Sequence, residues 1–130
     1  MENYSEIIKQ LKFNENGLIP AVAQDIDTKE VVMVAYMNEE SLKKTLQEKR
    51  TCYFSRSRQK LWTKGENSGN IQEVKQILID CDSDTVLLKV KQYGGACHEG
   101  YFSCFFREIT DDGELKIIEG KISDEKKVHK

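Results

Sequence analysis

Hydrophobic positions in the first part of the chain predict one short helix followed by two strands. Ile7, Ile8 and Leu11 recur at helical spacing, and Gly17 then interrupts the helical pattern. The runs LIPAVAQDI and EVVMVAYM are rich in β-branched and other apolar residues, which is typical of strands. The intervening DTKE has the polar composition of a turn, so we expect the two strands to form a hairpin.

A second helix and a series of further strands are predicted after residue 37. Asn38 is a favourable N-cap before two glutamates, and Leu42 and Leu46 give the apolar stripe of a helix ending near Lys49. Apolar runs then predict strands at TCYFSRS, IQEVKQILID, TVLLKVKQ, YFSCFFREI and ELKIIEGKI. The pattern therefore predicts an α+β fold, mainly β, in a compact single domain with one or two helices.

The composition fits one soluble domain with a substantial core. The chain has 130 residues, of which 38% are apolar and 32% charged, values that argue against a disordered protein. The formal net charge is -2, so the chain as a whole offers no strong attraction to nucleic acid or to an anionic membrane. An anionic substrate would therefore need local cations or a bound metal.

Targeting and redox signals predict a cytoplasmic protein with no membrane partner. No apolar run approaches the roughly 20 residues that span a bilayer, and residues 1–13 lack the basic region and apolar stretch of a secretory signal. The four cysteines are therefore expected to be reduced thiols, available for metal binding or catalysis rather than paired in disulfides.

The densest chemical signal is the acidic segment DCDSD, with carboxylates at Asp80, Asp82 and Asp84. Oxygen ligands at this density suit a hard cation such as Mg²⁺ or Ca²⁺. A solvated acidic turn between two strands explains the same residues, and the sequence leaves both interpretations open. If the segment is a regular strand, the aspartates face one way and Cys81 the other, which would allow two different metal sites on opposite faces.

Three cysteines, Cys81, Cys97 and Cys104, form a second candidate metal site from which Cys52 is separate. No C-x-x-C pair occurs, so this is not the common structural zinc-ribbon pattern. Three thiolates would make a tetrahedral zinc site with one position open for water, as catalytic zinc requires. If residues 97 and 98 are extended, His98 points away from the metal and becomes the candidate base. Buried cysteines that act as small hydrophobes are the structural alternative.

The polar segment SRSRQKLWTKGENSG, residues 55–69, supplies candidate substrate contacts. Arginines that alternate on one strand face could bind phosphate oxygens, glycines let backbone amides approach a ligand, and the tryptophan could stack on a heterocycle. Solvated arginines, a hairpin loop and a core tryptophan are the alternative explanations. The candidate substrate-binding residues are Arg56, Arg58, Trp62, Lys64, Glu66 and Ser68.

Taken together, these segments resemble the phosphoribosyl-AMP cyclohydrolase family. The matching stretches are EVVMVAYMN, YFSRSRQKLWTKGENSG, DCDSD and GGACHEGYFSCF, in the family's order and spacing over roughly residues 17–107. The resemblance implies a small-molecule substrate, phosphoribosyl-AMP, and hydrolysis of the N1–C6 bond of its adenine ring, a step of histidine biosynthesis. We expect a cyclohydrolase domain at residues 1–109, followed by a C-terminal strand and charged tail at 110–130.

The resemblance also implies cofactors and an oligomeric state. The expected ligands are Cys81, Cys97 and Cys104 for one Zn²⁺ per subunit, and Asp80, Asp82 and Asp84 for Mg²⁺. We expect an intertwined homodimer with active sites at the subunit interface, in which Cys81 comes from one chain and the other two cysteines from its partner. Three thiolates leave zinc a weak Lewis acid, so a nearby base, His98, is expected to assist catalysis.

Two other classes of protein remain consistent with the sequence. A non-catalytic zinc-binding module would use the cysteines only to hold the fold, and would bind zinc without hydrolysing a substrate. A nucleic-acid-binding β domain would use Arg56, Arg58 and Trp62, although the net charge argues against it and we expect no nucleic-acid partner.

Overall fold

Eight strands and two helices make up residues 4–122, the part of the chain described by the structure, a computed structural model. In chain order they are α1 (Ser5–Lys9), β1 (Ile19–Asp25), β2 (Val31–Met37), α2 (Glu39–Glu48), β3 (Cys52–Ser55), β4 (Lys60–Thr63), β5 (Gln72–Ile79), β6 (Val86–Gln92), β7 (Arg107–Ile109) and β8 (Leu115–Ile117). This content confirms the predicted α+β, mainly β fold class.

Four strands form the central sheet in the order β2-β1-β6-β5. The β1–β2 and β5–β6 pairs are antiparallel, whereas β1 and β6 run parallel in the middle of the sheet. Alternate residues of β1 and β6 are buried, including Ala21, Ala23, Val86 and Leu88. Because every second residue is buried, one face of the sheet lies against the core. There it packs with side chains of α1, α2 and β3.

The N-terminal helix and the first hairpin are confirmed. The helix α1 buries Ile8, whereas its neighbour Ile7 is 51% exposed. In the turn between β1 and β2, the Asp25 carboxylate accepts a hydrogen bond from the Thr28 amide at 2.8 Å. Lys29 then takes φ 71° and directs the chain back into β2.

The local signals that predict α2 are confirmed in its cap. The Asn38 side chain accepts a hydrogen bond from the Ser41 amide at 2.8 Å, and the Ser41 hydroxyl accepts one from the Asn38 amide at 2.9 Å. Lys49 ends the helix in the left-handed conformation, and Leu42 is buried against the core. None of the helices in residues 4–122 is long and apolar enough to cross a membrane.

The chain after β3 differs from the prediction, because residues 56–59 form a tight turn and do not continue the strand. Gln59 adopts φ 55°, and its amide donates to the Ser55 carbonyl at 2.8 Å, so the chain reverses into β4. Arg56 and Arg58 therefore lie on the turn, and the prediction that they alternate on one strand face is wrong. The sequence pattern does not reveal β4, since KLWT is short and lies between polar residues.

The predicted strand YFSCFFREI is shorter in the structure, where only its last three residues form β7. Residues 101–106 follow an irregular path that hydrogen bonds fix to β2. The Cys104 amide donates to the Val32 carbonyl at 2.7 Å, and the Ser103 hydroxyl donates to the Val31 carbonyl at 2.8 Å. The β7–β8 hairpin extends past residue 109, where the C-terminal strand and tail are expected to begin. Residues 123–130 of that tail lie outside the described residues.

Candidate active site and metal ligands

The acidic segment forms an exposed turn between β5 and β6 in which three carboxylates converge. One ligand oxygen from each of Asp80, Asp82 and Asp84 lies within 4.8 Å of the others. The Asp80 carboxylate accepts hydrogen bonds from the amides of Asp84 and Thr85, at 3.0 and 3.2 Å, and Ser83 takes φ 63°. The premise that this segment is a regular strand is therefore wrong, but the turn still gathers oxygen ligands that suit a divalent cation.

The carboxylates of this turn influence one another's protonation. Desolvation acts to raise the pKa of Asp80, but hydrogen bonds, chiefly with Asp84, overcome it and lower that pKa. The pKa of Asp84 is raised, first by its side-chain hydrogen bond with Asp82 and then by the one with Asp80. Asp84 thus holds its proton more firmly than Asp80 does, as expected for carboxyl groups that share one turn.

Two of the three candidate zinc ligands lie side by side. The Cys97 and Cys104 thiols are close enough to interact, and Cys97 is buried whereas Cys104 as a residue is exposed. Partial burial of its thiol, followed by the nearby Cys97, raises the pKa of Cys104 to about 11. The Glu99 amide donates a hydrogen bond to the Cys97 sulfur at 3.4 Å. Paired thiols match the sulfur ligands that Zn²⁺ takes in proteins.

The other two cysteines lie apart from this thiol pair. Cys81 is exposed on the acidic turn, and among residues 4–122 only the three aspartates bring three metal-ligand atoms within 4.8 Å of one another. A single chain therefore does not assemble the three-cysteine site. Cys52 is buried at the start of β3, where burial raises the pKa of its thiol and its amide donates to the Thr45 hydroxyl at 2.9 Å.

His98 lies on an exposed turn directly after Cys97. The Gly100 amide donates to the Cys97 carbonyl at 3.0 Å, so residues 97–100 turn back, and the premise of an extended segment is wrong. The two side chains still differ in their surroundings, since Cys97 is buried and His98 is exposed. The imidazole is therefore accessible to a substrate bound beside the cysteine loop.

Close contacts between two loops bring the cysteines next to the polar segment. The first loop follows β4 and the second, with Gly94 at its start, follows β6. A β-carbon added at Gly94, where φ is +67°, would overlap the side-chain amide of Asn70, and one added at Gly65 would lie 2.5 Å from the Asn70 backbone. No local sequence pattern marks Asn70, because its role depends on a loop that is distant in the chain.

The loop after β4 is also fixed by its own side chains. The Glu66 carboxylate accepts a hydrogen bond from the Thr63 amide at 2.9 Å. The Ser68 hydroxyl accepts one from the Asn70 amide at 3.1 Å. Two of the predicted substrate contacts, Glu66 and Ser68, therefore help to hold the shape of the loop that carries them.

A polar cleft of about 620 Å³ lies along the β3–β4 hairpin and the loop after it. Five predicted substrate contacts line this cleft, namely Arg58, Trp62, Lys64, Glu66 and Ser68. The guanidinium of Arg56 instead stacks on the ring of Tyr36, with its central carbon 4.2 Å from the ring centroid. Trp62 packs against the buried Tyr53, with ring centroids 5.2 Å apart, so the indole is held in place at the cleft wall.

Lys64 joins the cleft to the cysteine loop. Its ammonium group donates to the Ala96 carbonyl at 2.7 Å and lies 5.9 Å from the centroid of the Trp62 ring. Burial lowers the pKa of Lys64, while the nearby thiols of Cys104 and Cys97 act in the opposite direction. Lys64 therefore connects the cleft to the loop that carries the thiol pair.

An α+β domain with a polar cleft that Lys64 connects to a loop with two thiols has the features of an enzyme that acts on a small molecule. Comparison with known proteins identifies the family to which the chain belongs. The family model for phosphoribosyl-AMP cyclohydrolase matches residues 33–106. The chain is 56% identical to the phosphoribosyl-AMP cyclohydrolase of Chlorobium limicola, an alignment that covers 94% of this chain and 89% of the relative.

Two further relatives named phosphoribosyl-AMP cyclohydrolase have a similar sequence identity to this chain. The protein from Chlorobaculum tepidum is 54% identical over 98% of this chain and 93% of its own length. The protein from Chloroherpeton thalassium is 57% identical over 92% of this chain and 86% of its own length. The chain therefore belongs to the phosphoribosyl-AMP cyclohydrolase family of enzymes, which confirms the resemblance seen in its motifs.

Proposed function

We propose that the chain hydrolyses the N1–C6 bond of the adenine ring of phosphoribosyl-AMP with the help of zinc, as a cytoplasmic step of histidine biosynthesis. The observation that carries the proposal is the thiol pair, Cys97 and Cys104, on the loop to which Lys64 of the polar cleft donates a hydrogen bond. The substrate is supported by relatives 52% and 60% identical to this chain that are named phosphoribosyl-AMP cyclohydrolase.

The reaction adds the oxygen of water to C6 and separates C6 from N1. C6 becomes the carbon of a carboxamide, and N1, which keeps its ribosyl group, takes up a proton. The product is the phosphoribosyl-formimino aminoimidazole carboxamide ribotide. Because N1 already carries a ribosyl group, the ring is electron-poor, and N1 can leave without becoming a free anion.

The sulfur ligands of the site fit zinc. Cys97 and Cys104 supply two thiolates within one chain, and the exposed Cys81 of a second copy would supply the third. A structural zinc site takes four protein ligands, whereas three leave one position open. When bound, the ion would supply Lewis acidity that lowers the pKa of a water molecule at that position.

The side chains around the thiol pair would move the proton and orient the ring. His98, exposed beside Cys97, would take the proton of the attacking water and return it to the leaving N1. Trp62, fixed against Tyr53, would offer a ring face to the heterocycle. Lys64 would close the end of the cleft, while Glu66 and Ser68 shape its loop wall.

Two sets of residues would bind the phosphates of the substrate. Arg58 lines the cleft, and Arg56 lies on the same turn, so both guanidinium groups could receive phosphate oxygens there. The carboxylates of Asp80, Asp82 and Asp84 have the oxygen donors and the spacing for Mg²⁺, an ion that commonly binds phosphate as well. We assign both sets to placing the substrate.

The proposal includes a homodimer. Among residues 4–122 of one chain no third ligand lies beside the thiol pair, and both Cys81 and Cys104 are exposed. A dimer with two-fold symmetry would bring Cys81 of each chain to the pair of the other and create two equivalent sites.

Incubation of the purified protein with phosphoribosyl-AMP tests this function, with the ring-opened product followed by its absorbance. We expect no turnover after zinc is removed, and recovery when one zinc per chain is restored. Full turnover without zinc would contradict the zinc chemistry. Stoichiometric zinc without ring opening would instead identify a non-catalytic zinc-binding module.

A further inference from the structure

Lys64 points its charge at the cysteine loop. The side chain is half-buried after β4, and its ammonium group donates to the Ala96 carbonyl at 2.7 Å. Ala96 directly precedes Cys97, one member of the thiol pair. The hydrogen bond from Lys64 therefore fixes the backbone immediately before a candidate metal ligand.

The charge of a metal bound at the cysteine site explains why a cation such as Lys64 would be favourable nearby. A divalent ion held by three thiolates leaves one excess negative charge. Such a charge is unfavourable in a partly buried place unless a cation lies nearby. The hydrogen bond to Ala96 holds the Lys64 ammonium group beside the loop that carries Cys97, where its positive charge offsets that excess.

We propose that Lys64 is the outer-sphere partner of the cysteine metal site, where it fixes the thiol loop through Ala96 and offsets the excess charge of the thiolates. Lys64 is a positioning residue in this role, because it acts through the ligands. The inference rests on the proposed zinc chemistry and extends it to a residue outside the ligand set. Outer-sphere partners typically change metal affinity by about 10- to 100-fold.

Zinc affinity, measured by competition with a chelator of known affinity, tests the role without any substrate. Lys64→Met removes the charge but keeps a side chain of similar length. Lys60→Met is the matched control, because it removes an exposed lysine from the wall of the same cleft. We expect zinc to bind Lys64→Met about 10- to 100-fold more weakly than the wild type, and Lys60→Met as tightly as the wild type. Lys64→Arg should recover most of the loss, since it retains the positive charge.

A second neutral variant, Lys64→Gln, guards against a folding defect in Lys64→Met, and circular dichroism shows which variants are folded. A folded neutral variant with wild-type zinc affinity would overturn the role of Lys64 while leaving the zinc chemistry intact. A wild-type chain that binds no zinc would overturn the proposed zinc chemistry and this inference together. The two failures are therefore distinguishable.

Discussion

The buried side chain of Gln72 joins the central sheet to β3 and allows a quantitative test of the fold. Its carbonyl oxygen accepts hydrogen bonds from the Thr51 hydroxyl at 2.8 Å and the Tyr53 hydroxyl at 2.6 Å. Its amide group donates to the Gln92 side chain at 2.8 Å, directly before the loop that leads to the thiol pair. All four residues are buried, so Gln72→Leu would leave three polar groups without these partners in a place sheltered from water.

The expected loss of stability follows from these three groups. Each buried polar group that loses its partner costs about 1–3 kcal/mol, so the free energy of unfolding should fall by roughly 3–6 kcal/mol after partial relaxation. This is a large share of the roughly 5–15 kcal/mol that stabilises a typical domain. Gln76→Leu is the matched control, because Gln76 lies exposed on the same strand, and it should change the stability by about 0.5 kcal/mol or less.

Equilibrium unfolding in urea measures the free energy of unfolding of each variant. Both variants are kept at the same protein and zinc concentrations, so that zinc binding changes their stability equally. The expected result is a much lower free energy of unfolding for Gln72→Leu than for Gln76→Leu. A difference below about 1 kcal/mol would refute the reasoning, since it would mean that the freed hydroxyl and amide groups find other partners or water.

Two further predictions concern the candidate site. His98→Ala should retain its zinc and lose roughly 10²- to 10⁴-fold in turnover, the usual contribution of general acid–base catalysis. The zinc content and the kcat of the variant test this role of His98. Loss of zinc would show that His98 is a ligand, and unchanged turnover across the pH range would exclude His98 as the base. Asp82→Asn should need more Mg²⁺ for half-maximal activity while keeping its zinc. Activity that is indifferent to Mg²⁺ in wild type and variant would leave the acidic segment a solvated turn.

Local signals were sufficient to predict several elements of the fold. The helix α2 begins directly after its N-cap Asn38, which the sequence marks by an asparagine followed by two glutamates. The β1–β2 hairpin follows from two apolar runs around a polar turn. The clustering of the three aspartates was likewise predictable, since they lie within five consecutive residues.

Other features depend on contacts between distant segments, which one sequence does not reveal. The parallel pairing of β1 with β6 has no local signal, and neither does the approach of Asn70 to Gly94. Lys64 is recognisable in its motif as a polar loop residue, but its hydrogen bond to Ala96 depends on the packing of two loops. The turn at residues 56–59 was missed because Gln59 adopts a left-handed conformation that its residue type does not demand.

The central claim is a hydrolytic zinc site that two copies of the chain complete together, and mixing two inactive variants tests it most directly. Cys81→Ser and Cys97→Ser chains, each expected to be inactive alone, are combined under conditions that allow subunit exchange, with Cys52→Ser as the active control. In a heterodimer with shared sites, one site collects both substitutions and the other receives three intact cysteines. We predict that ring opening of phosphoribosyl-AMP returns, at about half the wild-type rate per heterodimer, because one of two equivalent sites is intact. Verified heterodimers that remain inactive would contradict the shared site.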